Sequence, residues 1–547
     1  MPGSVLRDPQ LPQTTHMVMN FDFYTQTLSR LSRRQLLNAA WKLGAAAVLQ
    51  PVASSRLFAQ AVFGSYPFTL GVASGDPWPD GVVLWTRLAP DPLNGGGMPA
   101  AKVEVGWEIA RDQAFRTIEQ KGVEIARPEL GHSVHVEVKG LQPGRDYWYR
   151  FHAGSEVSQV GRTKTAPPGD TAVDRLRFAV CGCNHYEAGY FTAFRGISDE
   201  RFDFVFHTGD YIYEDRADGG RNPAVVRQHN SQEIFTVVDY RNRYALYKSD
   251  RNLIAAHASA PFIMAWDDHE VDNDYAGSDD EHDTPPEIFL LRRAAAYQAY
   301  YENMPVRHAA FPTGPDMRMY RRLKFGTLMD MNVLDTRQYR SDQACGGGVV
   351  TGCTAAADPA RTILGADQER WLFEQLPTVR AKWTVIAQQV PMFARDASGA
   401  NPQAQYSMDK WDGYTADRDR VFARLKETKA PNPIILSGDV HMHYGSDLKT
   451  DFRNPHSETI GVEFTNTSIT SGSDGTDVAT IWDQIRAANP HVKYHSARRG
   501  YISCTATPKT MSADFKIIDR VTIPDQPIKT GGSIVVEAGR PGAVLSS

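Results

Sequence analysis

The sequence predicts an all-β sandwich followed by a larger α/β domain, whose layered sheets are covered by helices. Three observations carry this. From Tyr66 to about Pro168, short alternating runs are separated by Gly, Pro and Asp turns. From Arg175 onward, apolar β-branched or aromatic runs alternate with helix-period segments. Several of the later runs end in Cys, Asp, Tyr or His, where sheets of this class bind ligands. A chain of 547 residues is too long for one core and fits two domains plus an export segment.

The N-terminus reads as that segment. Ser32-Arg33-Arg34-Gln35-Leu36-Leu37 is a twin-arginine pattern, Leu43 to Val52 is modestly apolar, and Ala59-Gln60-Ala61 is a small-x-small cleavage site. The apolar run is too short to span a bilayer. Residues 1–61 are therefore expected to be removed, with Met17 or Met19 as alternative starts and the twin-arginine export machinery as a partner. The mature chain is expected to be periplasmic or secreted, with no membrane span. A net charge of −5 supplies no basic stripe for nucleic acid. Five cysteines are too few for a disulfide scaffold.

In the first domain, residues 66–168, strands are expected at Gly81 to Leu88, Lys102 to Ile109, Ser133 to Val138 and Tyr147 to His152. Leu141-Gln142-Pro143-Gly144-Arg145-Asp146-Tyr147-Trp148-Tyr149 has the form of a tyrosine corner, which points to a fibronectin/immunoglobulin-like sandwich. Asp76, Asp80 and Arg87 read as turn and surface residues, and Pro167 to Asp170 as the linker. The second domain, residues 174–523, has strand-like runs at Leu176–Val180, Phe204–Phe206, Phe262–Trp266, Leu328–Leu334, Trp383–Ala387 and Ile434–Leu436. Helices are expected at Ala188–Ile197, Tyr240–His257, Glu287–Glu302 and Ala366–Gln375. The tail, residues 524–547, is Pro- and Gly-rich and is expected to lie over the surface.

Four strand tips carry the chemistry: Cys181-Gly182-Cys183-Asn184-His185, Gly209-Asp210-Tyr211-Ile212-Tyr213, Trp266-Asp267-Asp268-His269-Glu270 and Ser437-Gly438-Asp439-Val440-His441-Met442-His443. The third continues to Asp272-Asn273-Asp274. Tyrosinate and thiolate are electron-donating anions suited to trivalent iron, whereas Asp268, Asp274 and Asp439 offer hard oxygens for calcium, magnesium or manganese. Asp210 can bridge the two kinds of site. Such a pair suits phosphoester hydrolysis, because two cations about 3.5–4 Å apart acidify a water and stabilise both attacking and departing oxygens. His269 is expected to contact phosphoryl oxygens or protonate the leaving group, and Arg337 to bind phosphate as a bidentate donor.

These motifs resemble the PhoD-type alkaline phosphatase/phosphodiesterase family of the metallophosphoesterase superfamily. The resemblance extends through Gly71 to Pro77, Leu84 to Arg87, Gly209 to Glu214, Asp239 to Arg243, Trp266 to Val271, Arg292 to Tyr297, Leu334 to Arg340 and Ser437 to His441. It implies an α/β metallophosphoesterase domain and an exported metallohydrolase holding Fe(3+) and Ca(2+). It further implies cleavage of phosphomonoesters and phosphodiesters, small or polymeric, by a metal-bound hydroxide at alkaline pH. Carried over by position, Cys183, Asp210, Tyr213 and His441 would hold iron, and Asp210, Asp268, Asp274 and Asp439 calcium. The family's calcium motif often has Asn where this chain has Asp274, and its Ser-Cys-Gln is here Cys181-Gly182-Cys183-Asn184. Two other readings stay open: an enzyme that is mainly a phosphodiesterase of phospholipase D type, and a non-enzymatic surface module stapled by metals.

Other residues have blander readings. His185 and His207 are expected to make structural hydrogen bonds, Asp267 to orient its turn, and Trp411 to Tyr414 to pack in the core, with lining of the site mouth as the alternative. His443 either supports the site or lies on the surface. Cys345 and Cys353 flank a Gly-rich loop and are expected to pair, while the state of Cys181 and Cys504 stays open.

Overall fold

Continuous apolar strands need cover on both faces, and this chain stacks two sheets between helical layers. The computed structural model describes residues 63–218, 224–399 and 403–546; the expected export segment lies outside them. A ten-stranded sheet has at its centre the parallel strands Leu176–Cys181, Phe204–His207 and Phe262–Met264. A seven-stranded sheet has the parallel strands Met329–Val333, Trp383–Ala387, Pro433–Ser437 and Thr459–Thr465. Side chains alternate across each pleat. Phe178, Val180, Phe204 and Phe206 meet Val385, Ala387, Ile434 and Leu436 between the sheets. Ala179, Cys181 and Val205 turn outward against helix residues Phe194, Tyr244 and Leu253. Ile386 and Ile435 do the same against Leu372 and Val421 on the opposite side.

Helix boundaries follow local chemistry. The segment read as one helix, Tyr240–His257, is two: Val237–Lys248 and Arg251–Ser259. Thr236 and Asp239 form a capping box at the first, while Asp250 accepts from the backbone N–H of Asn252 and Leu253 to start the second. Asp250 serves better as an N-cap than inside a helix, so the chain breaks there.

The N-terminal strands do not stand apart from the second half. Val72–Trp78 pairs in parallel with Phe262–Met264, and Gly81–Arg87 and Ser133–Lys139 extend the ten-stranded sheet. A five-stranded sheet built on Val103–Ala110 and Asp146–Ala153 faces these strands across a core that includes Val82, Leu84, Val136, Tyr147 and Phe151. The Tyr147 hydroxyl accepts from the Gln142 N–H at 2.9 Å, as a tyrosine corner requires.

Asp80 is exposed, but Asp76 and Arg87 are not the surface residues expected of them. Asp76 is buried in an ion pair with Arg321 at 2.7 Å, and Arg87 donates to Gly131 O and Asn303 Oδ1. Both join the two halves. The expected surface tail is largely unburied but forms two strands, Ile528–Glu537 and, at the edge of the ten-stranded sheet, Arg540–Ser546. Cys345 and Cys353 form a disulfide, and Cys181 and Cys504 are buried free thiols. Among the described residues no helix is long and apolar enough to cross a membrane.

Candidate metal centre

Parallel strands place their following turns at one edge, and here two sheets bring those turns face to face. From the ten-stranded sheet come Cys183, Asp210 and Asp268; from the seven-stranded sheet come Arg337, Asp439 and His441. Ligand atoms of Cys183, Asp210 and His441 lie within 4.8 Å of one another, as do those of Asp210, Asp268 and His269, and of Asp267, Asp268 and Asp439. Asp210 and Asp268 link the three groups.

The turns are bent to do this. Cys183, Asp210, Asp274, Asp439 and His441 all have left-handed backbones, with φ of 57°, 53°, 52°, 68° and 54°. Such a conformation costs a side-chain-bearing residue about 1 kcal/mol or more, and it concentrates at sites where placement matters more than stability. Gly209 has a further reason to be glycine. Its φ is 122°, and a Cβ there would sit 2.3 Å from the Asp267 nitrogen. Glu270 then accepts from the N–H groups of Asp210, Tyr211 and Asp267, tying the two turns together.

On one side the donors are soft or phenolic. The Tyr213 hydroxyl donates to Asp210 Oδ2 at 2.7 Å and lies 3.2 Å from His441 Nε2 and 2.6 Å from Ser471 Oγ. Cys183, Asp210 and Tyr213 are buried, whereas the His441 side chain is 33% exposed, so the centre has a closed floor and an open rim. Burial, then the charges of Asp210, Asp267 and Asp439, push the Cys183 thiol well up. Burial, Asp210 and Cys183 do the same to the Tyr213 phenol. Asp210 Oδ1 is buried without a hydrogen-bond partner. Anionic donors that repel one another around an unsatisfied oxygen fit a bound cation, which reverses this balance. Cys181 lies in the apolar layer, which makes Cys183 the thiol at the centre.

The other side is oxygen-rich. Asp274 donates its N–H to Asp268 Oδ2 at 2.7 Å, and the charge of Asp409, then burial, raises its carboxyl to about 8. Burial raises Asp268, but Arg337 outweighs it and holds the carboxyl below its ordinary value. Arg337 is fully buried: its guanidinium pairs with Asp267, Asp409 at 2.8 Å, Asp439 at 3.1 Å and Asp268 at 3.4 Å. It therefore does not have the free bidentate edge expected for phosphate and acts instead as a clamp on carboxylates. Asp267 belongs to this clamp as well as to its turn.

Asp409, Lys410 and Arg340 were not singled out in the sequence. Lys410 Nζ pairs with Asp409 at 2.6 Å and with Asp439, and Arg340 pairs with Asp409 at 2.6 Å. Formally, Asp267, Asp268, Asp409 and Asp439 face Arg337, Arg340 and Lys410, an excess of one negative charge that suits a cation, while the Asp274 carboxyl belongs to none of the three close ligand groups. The signal was weak: Asp409 and Lys410 lie outside any strand-tip pattern, ahead of the Trp411 turn.

His269 is held by Glu214, with Nδ1 2.7 Å from Oε2, and its ring lies 4.0 Å from that of Tyr213. Burial opposes its protonation, but the charges of Glu214, Asp268 and Asp210 win and raise it well above the usual imidazole value. The remaining histidines are structural. His207 bonds Asn184 Oδ1 at 2.9 Å, buried His185 packs 4.3 Å from the Tyr213 ring, and His443 accepts from the Thr467 N–H. Trp411 and Tyr414 are buried in the helical-side core.

The chain is similar to known proteins over most of its length. A family model described as PhoD-like phosphatase matches residues 178–515, and one for the PhoD-like phosphatase N-terminal domain matches residues 52–167. The chain is 48% identical over 538 residues to alkaline phosphatase D of Bacillus subtilis (strain 168), covering 95% of this chain and 91% of that protein. A solved structure titled "Structure of PhoD" superposes with a TM-score of 0.87 at 49% identity, covering 89% of this chain and 93% of that one. The chain therefore belongs to the PhoD-like phosphatase family and is a phosphoric ester hydrolase.

Proposed function

We propose that this hydrolase is an exported alkaline phosphatase D-like enzyme that cleaves phosphomonoesters and phosphodiesters at a centre of two unlike cations. The observation that carries the reading is the meeting of a thiol–phenol–imidazole–carboxylate group with an oxygen-rich group across Asp210 and Asp268. Cys183, Asp210, Tyr213 and His441 would hold Fe(3+), and Asp210, Asp268, Asp274 and Asp439 would hold Ca(2+). Cations bound there supply Lewis acidity to the water and to the ester oxygens. In this reading residues 174–523 would form a metallophosphoesterase domain and residues 66–168 a fibronectin/immunoglobulin-like sandwich, joined through the ten-stranded sheet. The Ser32 to Leu37 pattern supports twin-arginine export to the periplasm or beyond.

The chain's own groups have separate tasks. Arg337 and Lys410 hold Asp439 and its neighbours so that their oxygens stay aimed at the centre. His269, oriented and charged by Glu214, is the proton donor to the departing oxygen. His441 at the open rim lets an ester approach from solvent.

Hydrolysis of p-nitrophenyl phosphate and bis(p-nitrophenyl) phosphate, before and after chelation, tests the proposal. Both activities should disappear with chelator and return with calcium. Chelator-resistant turnover, or full turnover by Asp439→Ala, would overturn it.

A further inference from the structure

Away from the metal centre, a cavity of about 180 Å³ opens between the N-terminal strands and the helical layer. Arg87, Arg241, His132, Gly96, Gly131 and Met98 are among its walls, and no metal-centre residue is. Arg87 is 1% exposed. Its Nε donates to Gly131 O at 2.9 Å, and its Nη1 to Asn303 Oδ1 at 3.3 Å and Arg241 O at 3.4 Å. All three acceptors are neutral. No carboxylate lies within ion-pair distance of Arg87, and its Nη2 has no hydrogen bond, among the described residues.

The carboxylate whose charge acts on Arg87 is already committed to a second arginine. Glu302 takes Arg241 Nε and Nη2, both at 2.6 Å, and Gln298 at 2.9 Å. Arg241 spends Nη2 also on Glu129 O at 3.0 Å, which leaves its Nη1 without a hydrogen bond to any described residue. His132 is tied to Ala101 O at 2.9 Å, and burial keeps its imidazole below the usual value, so it adds no charge. Arg87 and Arg241 thus divide the charge of Glu302, and the buried Lys248 amine also acts on Arg87. A buried guanidinium without a counter-charge is expensive, and an anion in the cavity is the direct remedy.

The walls make room for one. Gly131 has φ 56°, and a Cβ there would meet Arg241 Nε at 3.0 Å, Glu302 Oε2 at 3.1 Å and Arg87 Nη2 at 3.4 Å. Only a bare backbone lets these charged groups gather. Gly95 and Gly96 on the loop opposite are left-handed too, and the Gly96 Cα points toward Arg87 Nη2, 3.8 Å from where its Cβ would be. Guanidinium edges match tetrahedral oxyanions, and the volume holds one with water to spare.

We propose that this cavity is a binding site for a small tetrahedral oxyanion of the inorganic phosphate class, separate from the metal centre. The occupant gives Arg87 a counter-charge in direct contact, where Glu302 acts on it only from its bond to Arg241, and braces the N-terminal strands against the helix Pro286–Asn303. Arg87 and Arg241 would hold the anion whichever metals occupy the centre.

Crystals of the metal-loaded enzyme soaked in phosphate, and separately in acetate, provide the test. The expected result is tetrahedral density against Arg87 Nη2 and Arg241, and none there from acetate. In solution, sulfate should raise the melting temperature of the wild type by a few degrees, a response that Arg87→Met loses. Because Arg87→Met can fail to fold, Ala100→Trp gives an independent arm: it fills the exposed mouth, touches neither arginine's charge nor the metal centre, and should abolish the density and the sulfate response with turnover unchanged. Water alone in the cavity of a soaked crystal whose metal centre is filled by phosphate would overturn the proposal. So would acetate bound in place of phosphate, or an undiminished sulfate response in folded Ala100→Trp.

Discussion

At the scale of single residues, the account turns on donors that are useless to a packed core and costly to bury without a cation. Tyr213 has its hydroxyl 2.7 Å from Asp210 and 3.2 Å from His441. Tyr213→Phe keeps the ring and removes the donor, so turnover should fall by roughly 100-fold or more while the fold survives. Unfolding curves and kcat together check this; near-normal kcat would remove Tyr213 from the centre. Lys410 gives a second test. It neutralises Asp409 and Asp439 from within. Lys410→Met leaves those buried carboxylates facing each other, at a cost of about 3 kcal/mol in the metal-free protein. Added calcium should recover much of that loss, read as a melting temperature with and without the ion. Of these residues, Tyr213 was legible because it follows a Gly-Asp strand tip, and Lys410 was not because its role depends on which carboxylates the fold brings to it. Arg337 shows the converse. Its motif marked it as important, but the sequence could not reveal that Asp267, Asp268, Asp409 and Asp439 would use its whole guanidinium.

At the scale of elements, the strands that deliver ligands were the most legible, since burial on both faces leaves unbroken apolar runs such as Phe204 to Phe206. Ile118–Ala126 was missed because its apolar residues do not mark a buried face: Ile118 and Val123 are exposed and only Ala126 is buried. The tail strands were missed because Pro and Gly near a chain end suggest a loop, while pairing with Thr510–Ile518 decides otherwise. The contact between the N-terminal strands and the helix Pro286–Asn303 has a pH signature. His135 Nε2 is 2.9 Å from Met304 O, its ring stacks on Tyr301 at 4.5 Å, and burial, with smaller contributions from His308 and Lys248, lowers its pKa to about 4. Its unfolded value is near 6.5, so the unfolded state binds the extra proton first. Stability from this group is complete above that value and is lost as pH falls from about 6.5 toward 4, by up to about 3 kcal/mol. Denaturant midpoints of the wild type and His135→Phe across this window should converge as the wild type loses that increment. Parallel curves would place His135 outside the acid transition.

At the scale of the whole molecule, two sheets that pack through Phe178, Phe206, Val385 and Leu436 hold opposing strand tips at a fixed separation. The candidate centre is therefore a property of sheet packing, and the sequence could name candidate ligands without showing that they meet. Because the ions would bind the folded chain only, chelation should lower the melting temperature as well as activity. The effect is about 4 kcal/mol if the cation is present at a thousandfold excess over its dissociation constant. Calorimetry with and without chelator measures it, and an unchanged transition would mean that the strand tips hold no cation in solution.

Metal analysis with visible absorption of the purified, active protein decides whether a thiolate–tyrosinate iron site lies beside an oxygen-rich calcium site. The account predicts a coloured protein with a tyrosinate-to-iron charge-transfer band that Tyr213→Phe abolishes, together with turnover that depends on calcium. A colourless protein that is fully active with zinc or manganese alone would contradict it.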